Sequence, residues 1–323
     1  MTGIFDSFQR HINYLRISVT DRCNLRCIYC MPPEGVALAS HGEILSYEEI
    51  SIVAQVGAKL GINKIRLTGG EPLVRAELPK LVQMLSQIEE IDEVSLTTNG
   101  TLLKRYIPML KQAGLSRVNI SLDTLQADKF RHITRLGELR DVLYGIEAAR
   151  DAGLDPVKIN MVVMRGVNDD EVLDFANMTY KEGWDVRFIE LMPFANVAQP
   201  VSSSEMRQCI ASLGKLEPYL CVTGNGPATY YRLPGAEGTI GFISPITECF
   251  CSNCNRMRLT SDGKLCPCLL ADGEIDLKEA LRHNASPQEL ERLFLKAVAS
   301  KPERHHLADG IIPVTQNMFQ IGG

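Results

Sequence analysis

The sequence predicts an α/β fold: an incomplete (β/α)6, TIM-like barrel with a C-terminal extension closing the barrel mouth. The first observation is that short β-branched runs alternate with amphipathic stretches through the first two-thirds of the chain. The second is that strands and helices in such alternation form parallel sheets. The third is that six β-α units can be distinguished in the sequence, whereas a complete barrel of this kind needs eight.

The six units are predicted in chain order from hydrophobic periodicity and helix-ending signals. The predicted strands cover residues 14–20, 64–68, 93–97, 117–121, 157–163 and 186–190. The predicted helices cover residues 47–60, 78–87, 102–113, 139–152 and 170–182. Ser46 and Glu49 have the spacing of a capping box at the start of the first helix. Four predicted helices are followed by glycines that suit a C-terminal cap, namely Gly61, Gly114, Gly153 and Gly183.

Polar residues collect where the predicted strands end. They include Glu71, Asn99, Asp123, Asn160 and Glu190. Any one of these residues is more often part of a turn, or a polar group satisfied within the core. In parallel α/β barrels, however, the C-terminal ends of the strands face one mouth, where catalytic groups assemble. Together they predict one site at that mouth.

Composition changes in the last third of the chain. Residues 224–247 are rich in Gly, Pro and Ser and contain two strand-like runs, 230–233 and 239–243, which predict a hairpin. Polar helices are predicted from there to residue 300. We therefore predict two units, a core partial barrel over residues 1–215 and a C-terminal domain over residues 216–323.

Charge and composition narrow the possible partners. The chain has 323 residues, 45% of them hydrophobic, and a formal net charge of −5. This balance predicts no general affinity for nucleic acid or for an anionic membrane. No segment approaches the ~20 apolar residues of a membrane span, and the first ten residues lack the apolar region of a secretion signal. A cytoplasmic protein is therefore expected, either monomeric or homodimeric.

Ten cysteines in such a chain favour metal binding or reactive thiols over a disulfide framework. Three of them, Cys23, Cys27 and Cys30, have the spacing C-x3-C-x2-C directly after the first predicted strand. Such a loop can supply three thiolates to a 4Fe–4S cluster and leave the fourth iron open for another ligand. The alternatives are a zinc site, which usually has four ligands, and thiols that merely share a loop.

The trio resembles the signature of radical S-adenosylmethionine (radical SAM) enzymes. In that family the open iron binds the amino and carboxylate groups of the cofactor. The turn Gly69-Gly70-Glu71-Pro72 follows the second predicted strand and resembles the segment that holds the cofactor's amino group. Its glycines permit close backbone approach, its glutamate offers a carboxylate, and its proline stiffens the exit. The resemblance also implies that the aromatic residue before the last cysteine, Tyr29, packs on the adenine.

A second group of cysteines lies near the end of the chain. Cys251 and Cys254 form a C-x2-C pair, and the third ligand is Cys266 or Cys268, with Cys249 as a competitor. Four available cysteines make a zinc knuckle the main alternative to a second three-cysteine cluster. The remaining two cysteines, Cys209 and Cys221, are predicted to be buried apolar residues.

Basic residues surround these cysteines and occupy the inner strands. Arg256 and Arg258 alternate as in a strand, so both can point the same way, and arginine suits phosphate binding. Four further basic residues lie on predicted inner strands, namely Arg16, Arg66, Lys158 and Arg187. These charges either pair with Glu71, Asp123 and Glu190 or await an anionic ligand.

Residues 8–33, 64–75, 187–193 and 226–279 resemble the GTP 3′,8-cyclase family of radical SAM enzymes. The resemblance extends over nearly the whole chain, to the terminal Gly322 and Gly323. It implies a second cluster held as C-x2-C-x13-C, which selects Cys268 over Cys266. It implies S-adenosyl-L-methionine contacts by Tyr29, Gly70, Ser121 and Met192. It implies GTP contacts by Arg16, Arg66, Thr97, Lys158, Arg256 and Arg258, with Arg187 as a weaker candidate.

The same resemblance implies the reaction and the partners. A 5′-deoxyadenosyl radical takes hydrogen from C3′ of GTP, and the resulting carbon radical attacks C8. Reduction then gives (8S)-3′,8-cyclo-7,8-dihydroguanosine 5′-triphosphate, which opens molybdenum cofactor biosynthesis. Two 4Fe–4S clusters, an external electron donor and a downstream cyclic pyranopterin monophosphate synthase are expected. The competing hypotheses are a radical SAM maturase with an auxiliary cluster and a non-catalytic metal protein.

Overall fold

The computed structural model describes residues 3–40, 42–154, 156–194, 197–220 and 224–307. Within these residues the strands are β1 (Ile4–Phe5), β2 (His11–Ile12), β3 (Tyr14–Ser18), β4 (Lys64–Thr68), β5 (Glu93–Thr98), β6 (Arg117–Ser121), β7 (Lys158–Val163), β8 (Asp185–Glu190), β9 (Glu217–Pro218), β10 (Thr229–Arg232), β11 (Ile240–Ile243), β12 (Arg256–Leu259), β13 (Lys264–Cys266) and β14 (Ile275–Asp276). The helices are α1 (Tyr47–Leu60), α2 (Leu78–Ser86), α3 (Leu103–Gln112), α4 (Ala127–Thr134), α5 (Leu139–Asp151), α6 (Val172–Lys181), α7 (Ser203–Ile210), α8 (Lys278–Arg282) and α9 (Pro287–Ala299).

A mostly parallel sheet forms the centre of the molecule. Its strand order is β14-β13-β12-β3-β4-β5-β6-β7-β8-β11-β10-β9, and the pairs from β12 through β11 are parallel. The predicted β-α series is confirmed in β3 to β8. The sheet is wider than predicted because β12 adds to one edge of this series and β11 to the other. Within the described residues the strand order does not return on itself, so no closed barrel is present.

Most predicted elements are found close to their predicted bounds. The bounds of α1, β4 and β6 are those predicted, and the other predicted elements differ by one or two residues at an end. The capping box of Ser46 and Glu49 is present, and the four glycines after helices have positive φ. The expected hairpin is formed by β10 and β11. Two eight-residue helices, α4 and α7, were not predicted; in such short helices a 3.6-residue period is hard to recognise.

Strand alternation determines which side chains face the helices and which face inward. On β3, Leu15 and Ile17 are fully buried in the main hydrophobic core. Arg16, between them, points to the opposite face of the sheet. The same alternation on β4 buries Ile65 and Leu67 in the core and turns Arg66 inward. The strands therefore have an apolar face that packs on helices and a polar face that lines a cavity.

No helix among the described segments is both long enough and apolar enough to span a lipid bilayer.

Candidate active site

A cavity of about 300 Å³ lies on the polar face of the sheet. Both predicted cysteine trios line it, Cys23, Cys27 and Cys30 together with Cys251, Cys254 and Cys268. The other predicted site residues that line it are Tyr29, Gly70, Ser121, Met192, Arg16, Arg66, Thr97, Arg256, Arg258 and Arg187. Fifteen of the predicted site residues, together with Arg187, thus meet around one space, although they come from distant parts of the chain.

The first cysteine loop is shaped by its own backbone and docked on α4. The amides of Cys30 and Met31 donate to the Cys27 carbonyl, at 2.9 and 3.1 Å. The amide of Ile28 donates to Ile133 in α4 at 2.9 Å. Burial raises the pKa of Cys23 to about 11 and that of Cys30 to about 12. Three partly buried thiols held in one loop fit a soft metal centre, which would supply the positive charge that thiolates need.

The Gly69–Gly70 turn packs directly against the start of this loop. The amide of Gly70 donates to the Thr20 carbonyl at 2.8 Å, and the amide of Glu71 donates to the Arg22 carbonyl at 2.8 Å. A Cβ on Gly70 would lie 2.3 Å from the Arg22 carbonyl oxygen. Glycine is therefore required here for close backbone approach.

Replacing Gly70 with alanine is expected to displace the cysteine loop, because backbone at Arg22 cannot move as a flexible side chain can. Iron bound by the first trio should fall by more than half after anaerobic reconstitution, as measured by iron analysis and electron paramagnetic resonance. Gly42→Ala is the matched control, since an added Cβ there meets nothing within 4 Å. Normal iron content in Gly70→Ala would show that this packing does not position the loop.

Glu71 holds the backbone of the site and is absent from the residues that line the cavity. Its carboxylate accepts hydrogen bonds from the amide of Leu73 at 3.0 Å, the hydroxyl of Thr98 at 2.7 Å and the amide of Asn99 at 2.7 Å. Burial raises its pKa to about 7, although these three donors favour the charged form. The carboxylate joins the turn after β4 to the turn after β5.

Tyr29 is fixed at the cavity wall by Asp123. The tyrosine hydroxyl donates to Asp123 Oδ2 at 2.7 Å, and the amide of Val162 donates to Oδ1 at 2.8 Å. Burial raises the pKa of Asp123 to about 6, opposed by these two hydrogen bonds. The ring of Tyr29 is thus held in one position by a carboxylate at the end of β6.

In the second group of cysteines, Cys268 and Cys266 have different environments. Cys268 lines the cavity, and the amide of Leu270 donates to its sulfur at 3.4 Å. Cys266 is 1% exposed, lies outside the cavity lining, and its thiol is directed to the Lys264 carbonyl at 3.8 Å. Cys249 is exposed and lies beside Cys251. The contacts favour Cys268 as the third member of the trio.

Cationic side chains surround Cys254. The guanidinium of Arg256 donates to the Cys254 sulfur at 3.7 Å. Burial raises the pKa of Cys254, but the charges of Arg256 and Lys301 outweigh it and lower the pKa to about 6. Lys301 is held in place by the carbonyls of Arg256, at 2.8 Å, and Pro267, at 2.6 Å. Cys254 is therefore readily available as a thiolate, the form that ligates metals.

The two trios lie at opposite ends of the parallel strands. Cys23 follows the C-terminal end of β3, whereas Cys254 directly precedes β12, which runs parallel to β3 with Arg256 opposite Tyr14. A five-residue strand spans roughly 15 Å. The cavity therefore runs along the strands from one trio to the other. The sequence prediction of one mouth at the strand C-termini was incomplete, because the second trio lies at the N-terminal ends.

Between the trios, three arginines form a row across adjacent strands. The register pairs Arg258 of β12 with Arg16 of β3, and Arg16 with Arg66 of β4. Burial, followed by the charge of Arg258, lowers the pKa of Arg16 well below its usual value. Like charges on neighbouring strands repel one another when they are buried together. Such a row is stabilised by an anion placed against it.

The acids proposed as partners for these arginines are used elsewhere. Asp123 binds Tyr29 and Val162, and Glu71 binds the turns described above. Glu190 accepts from the amides of Ser203 at 2.9 Å and Thr247 at 3.1 Å. All three carboxylates thus serve tyrosine, hydroxyl and backbone donors.

Several cavity residues were missed or given little weight in the sequence analysis. Asn119 and Asn160 each have a buried side-chain oxygen without a hydrogen-bond partner among the described residues. Nε and Nη2 of the buried Arg187 likewise have none there. Unsatisfied polar atoms on the wall of a cavity indicate a polar ligand. Asn119 could have been found, since it alternates with Ser121 on β6, whereas Lys301 carries no local signal.

Lys158 differs from the other predicted site residues. Lys158 is buried but is absent from the cavity lining, and its ammonium lies 3.3 Å from the Tyr230 hydroxyl. Burial and then the charge of Arg187 lower its pKa to about 7.

Cys209 was predicted to be buried, but it is exposed on α7. Cys221 and the tail with Gly322 and Gly323 lie outside the described residues.

The fold and the first cysteine loop define a radical SAM protein. A family model of the Radical SAM superfamily matches residues 17–179, and one described as Molybdenum Cofactor Synthesis C matches residues 184–307. The chain is 52% identical over 322 residues to the GTP 3′,8-cyclase of Moorella thermoacetica, covering 98% of this chain and 99% of that protein. It is also 52% identical over 324 residues to that of Pelotomaculum thermopropionicum, covering 98% and 99%. The chain belongs to the GTP 3′,8-cyclase family.

Solved structures with a similar fold include SuiB from Streptococcus suis. The structure bound to S-adenosylmethionine has a TM-score of 0.60 at 13% identity and covers 83% of this chain and 64% of that chain. The structure bound to the precursor peptide SuiA has a TM-score of 0.63 at 13% identity, covering 90% and 65%. At this identity the similarity concerns the fold alone.

Proposed function

We propose that this protein is a radical SAM cyclase that converts GTP to (8S)-3′,8-cyclo-7,8-dihydroguanosine 5′-triphosphate, the first step of molybdenum cofactor biosynthesis. The observation that carries the proposal is the in-register row Arg258, Arg16 and Arg66 between two cysteine trios in one cavity. The row fits a polyanion, and a trio at each end fits a reaction that needs two metal centres. Relatives at 52% identity carry the name of this activity.

The protein uses two 4Fe–4S clusters and S-adenosylmethionine. Cys23, Cys27 and Cys30 would hold the first cluster, and Cys251, Cys254 and Cys268 the second. The first cluster and S-adenosylmethionine would supply hydrogen-atom abstraction from an unactivated carbon, the chemistry required at C3′ of GTP. Backbone amides of Leu25 and Leu270 each donate to a trio sulfur at 3.4 Å, which stabilises the thiolate form.

We assign S-adenosylmethionine to the end of the cavity near the first trio. Four residues there would contact it, namely Tyr29, Gly70, Ser121 and Met192. The hydrogen bond from Tyr29 to Asp123 supports this role, because it fixes the ring. The open side chain of Asn160, in register with Ser121, is a further contact.

GTP would lie between the trios, with its triphosphate against the arginine row. Arg16, Arg66, Arg256 and Arg258 bind phosphate oxygens, and Thr97 lies 3.4 Å from Arg66 and steadies it. Lys158 does not line the cavity, and it would act on GTP through the side chains that do. It pairs in register with Asn119 on the neighbouring strand. Holding the triphosphate at one end of GTP and the guanine ring at the other sets the position of C3′. The buried wall of the cavity excludes water.

We further propose that the sheet curves as an incomplete (β/α)6 barrel closed by the C-terminal region. Residues 1–215 would form the barrel and residues 216–323 the closing domain. The parallel additions of β12 and β11 at the two edges support this arrangement, since they come from the C-terminal region.

The proposed partners are an external electron donor and, downstream, a cyclic pyranopterin monophosphate synthase, with the enzyme acting as a monomer or homodimer. A reducing compartment such as the cytoplasm would keep the six cluster thiols reduced.

The test is anaerobic reconstitution with iron and sulfide, followed by reduction with dithionite. GTP should stimulate formation of 5′-deoxyadenosine, and GTP deuterated at C3′ should give deuterated 5′-deoxyadenosine. GTP deuterated at C2′ should not. A protein that binds iron but cannot cleave S-adenosylmethionine would be an electron carrier, and cleavage indifferent to GTP would indicate a maturase.

A further inference from the structure

Three side chains of types that bind metals, Cys249, Cys251 and His305, lie close together beside the second trio. The cyclase function uses only Cys251 among them as a cluster ligand. The sulfur of Cys249 lies 3.2 Å from that of Cys251 and 3.5 Å from Nε2 of His305. All three ligand atoms lie within 4.8 Å of one another. We propose that Cys249, Cys251 and His305 form a mononuclear site for a zinc-like divalent ion, which excludes the second cluster while it is occupied.

The spacing of the three atoms fits a tetrahedral ion. Zinc bonds of about 2.3 Å to sulfur and about 2.0 Å to nitrogen place two sulfurs ~3.7 Å apart, and sulfur and nitrogen ~3.5 Å apart. Two of the three separations in the structure, 3.2 and 3.5 Å, need only a small adjustment, and the third, from the Cys251 sulfur to Nε2 of His305, is within 4.8 Å. Two thiolates and an imidazole are also the soft and borderline ligands that zinc prefers. Water would complete the fourth position.

The site is held together before any ion binds. Arg10 donates to the carbonyl of Cys251 at 2.8 Å, to that of Glu303 at 2.8 Å and to that of Pro302 at 2.6 Å. Nε of Arg10 donates a hydrogen bond to Oδ2 of Asp6 at 2.6 Å, and both side chains are buried. One guanidinium thereby links the Cys251 turn to the segment that carries His305. Such preorganisation lowers the cost of bringing distant ligands together.

Access and ring geometry are also suitable. Cys249 is exposed, so an ion from solvent can reach the site without opening the cavity. Binding through Nε2 leaves the ring proton of His305 on Nδ1. In the structure the amide of Leu307 approaches that nitrogen at 3.4 Å, a long contact that does not hold the ring against a metal bond.

Competition with the second cluster follows from the shared Cys251. A thiolate committed to a mononuclear ion is withdrawn from the cubane, and two remaining cysteines are too few for a stable cluster. The competition rests on the second cluster proposed above, whereas binding of the ion does not. Zinc at this site would keep the newly made chain from receiving its second cluster.

The direct test uses the full chain with Cys23, Cys27, Cys30 and Cys268 replaced by serine, which removes both cluster trios. Under anaerobic reducing conditions, Co²⁺ should bind at one equivalent with the absorption of a four-coordinate thiolate complex, and Zn²⁺ should displace it. Adding Cys249→Ser or His305→Asn should weaken binding by at least tenfold, whereas Cys209→Ser, at an exposed lone cysteine, should not. Unchanged binding in Cys249→Ser, or no binding in the parent, would overturn the proposal.

A second measurement needs no multiple substitution. Wild-type chain treated with one equivalent of Zn²⁺ before reconstitution should recover about half of its iron, whereas Cys249→Ser treated alike should recover nearly all. Equal zinc sensitivity in the two would contradict the site. Iron content without zinc reports the second cluster separately, so failure of that cluster is distinguishable from failure of the zinc site.

Discussion

Replacing Arg258 with alanine is expected to weaken GTP binding by about 10- to 150-fold while leaving uncoupled cleavage of S-adenosylmethionine largely intact. A charge-assisted hydrogen bond is worth about 1.5–3 kcal/mol, and each 1.4 kcal/mol is about tenfold in affinity. Arg258 is buried opposite Arg16, midway between the trios, and far along the strand from Cys23. Loss of its charge should remove the proposed phosphate contact without disturbing the first cluster.

The measurement is equilibrium binding of GTP to anaerobically reconstituted protein, with 5′-deoxyadenosine formation by dithionite-reduced enzyme measured in parallel. Arg292→Ala is the control, because that arginine is exposed on α9 beside Glu289. Arg256→Ala should weaken binding in the same direction, with iron content checked because Arg256 also contacts Cys254. Complete loss of cleavage in Arg258→Ala, or unchanged affinity for GTP, would refute the assigned role.

Local signals explain why much of the fold could be predicted. A strand such as β4 or a capped helix such as α1 is defined within a few residues, by alternation, a capping box and a terminal glycine. The pairing of β12 with β3 joins residues from opposite ends of the chain, and no local pattern specifies it. The widened sheet, and the placement of the second trio at the strand N-termini, could therefore be learned only from the structure.

The candidate site likewise has residues that local motifs predict and residues whose role depends on distant parts of the chain. Cys23, Cys27, Cys30 and Gly70 lie in compact motifs whose spacing carries the chemistry, so the sequence was sufficient to select them. Glu71 was expected to offer a carboxylate to the site, but its oxygens accept hydrogen bonds from Leu73, Thr98 and Asn99 and lie outside the cavity lining. Whether a buried acid is free or satisfied depends on donors elsewhere in the chain.

Serine at Cys268 is expected to remove about half of the bound iron, from about eight to about four atoms per chain, whereas serine at Cys266 should leave it unchanged. The amide of Leu270 donates to the Cys268 sulfur at 3.4 Å, as the amide of Leu25 does to Cys23. Both amides belong to the second residue after the cysteine. The thiol of Cys266 is instead directed to the Lys264 carbonyl, and a serine there can still donate to that oxygen. Iron and sulfide analysis, with Mössbauer spectra of the reconstituted variants, measures the difference.

Cys249 adds one complication to this experiment, because its sulfur lies only 3.2 Å from that of Cys251. If Cys249 substitutes as the third ligand, Cys268→Ser alone retains more than half of the iron, and the double variant Cys249→Ser/Cys268→Ser falls to half. Loss of iron in Cys266→Ser to the level of Cys268→Ser would instead place the ligand on β13, where the thiol now faces a carbonyl. Retention of all iron in the double variant would exclude Cys268 from the cluster, since Cys251 and Cys254 are too few to hold it.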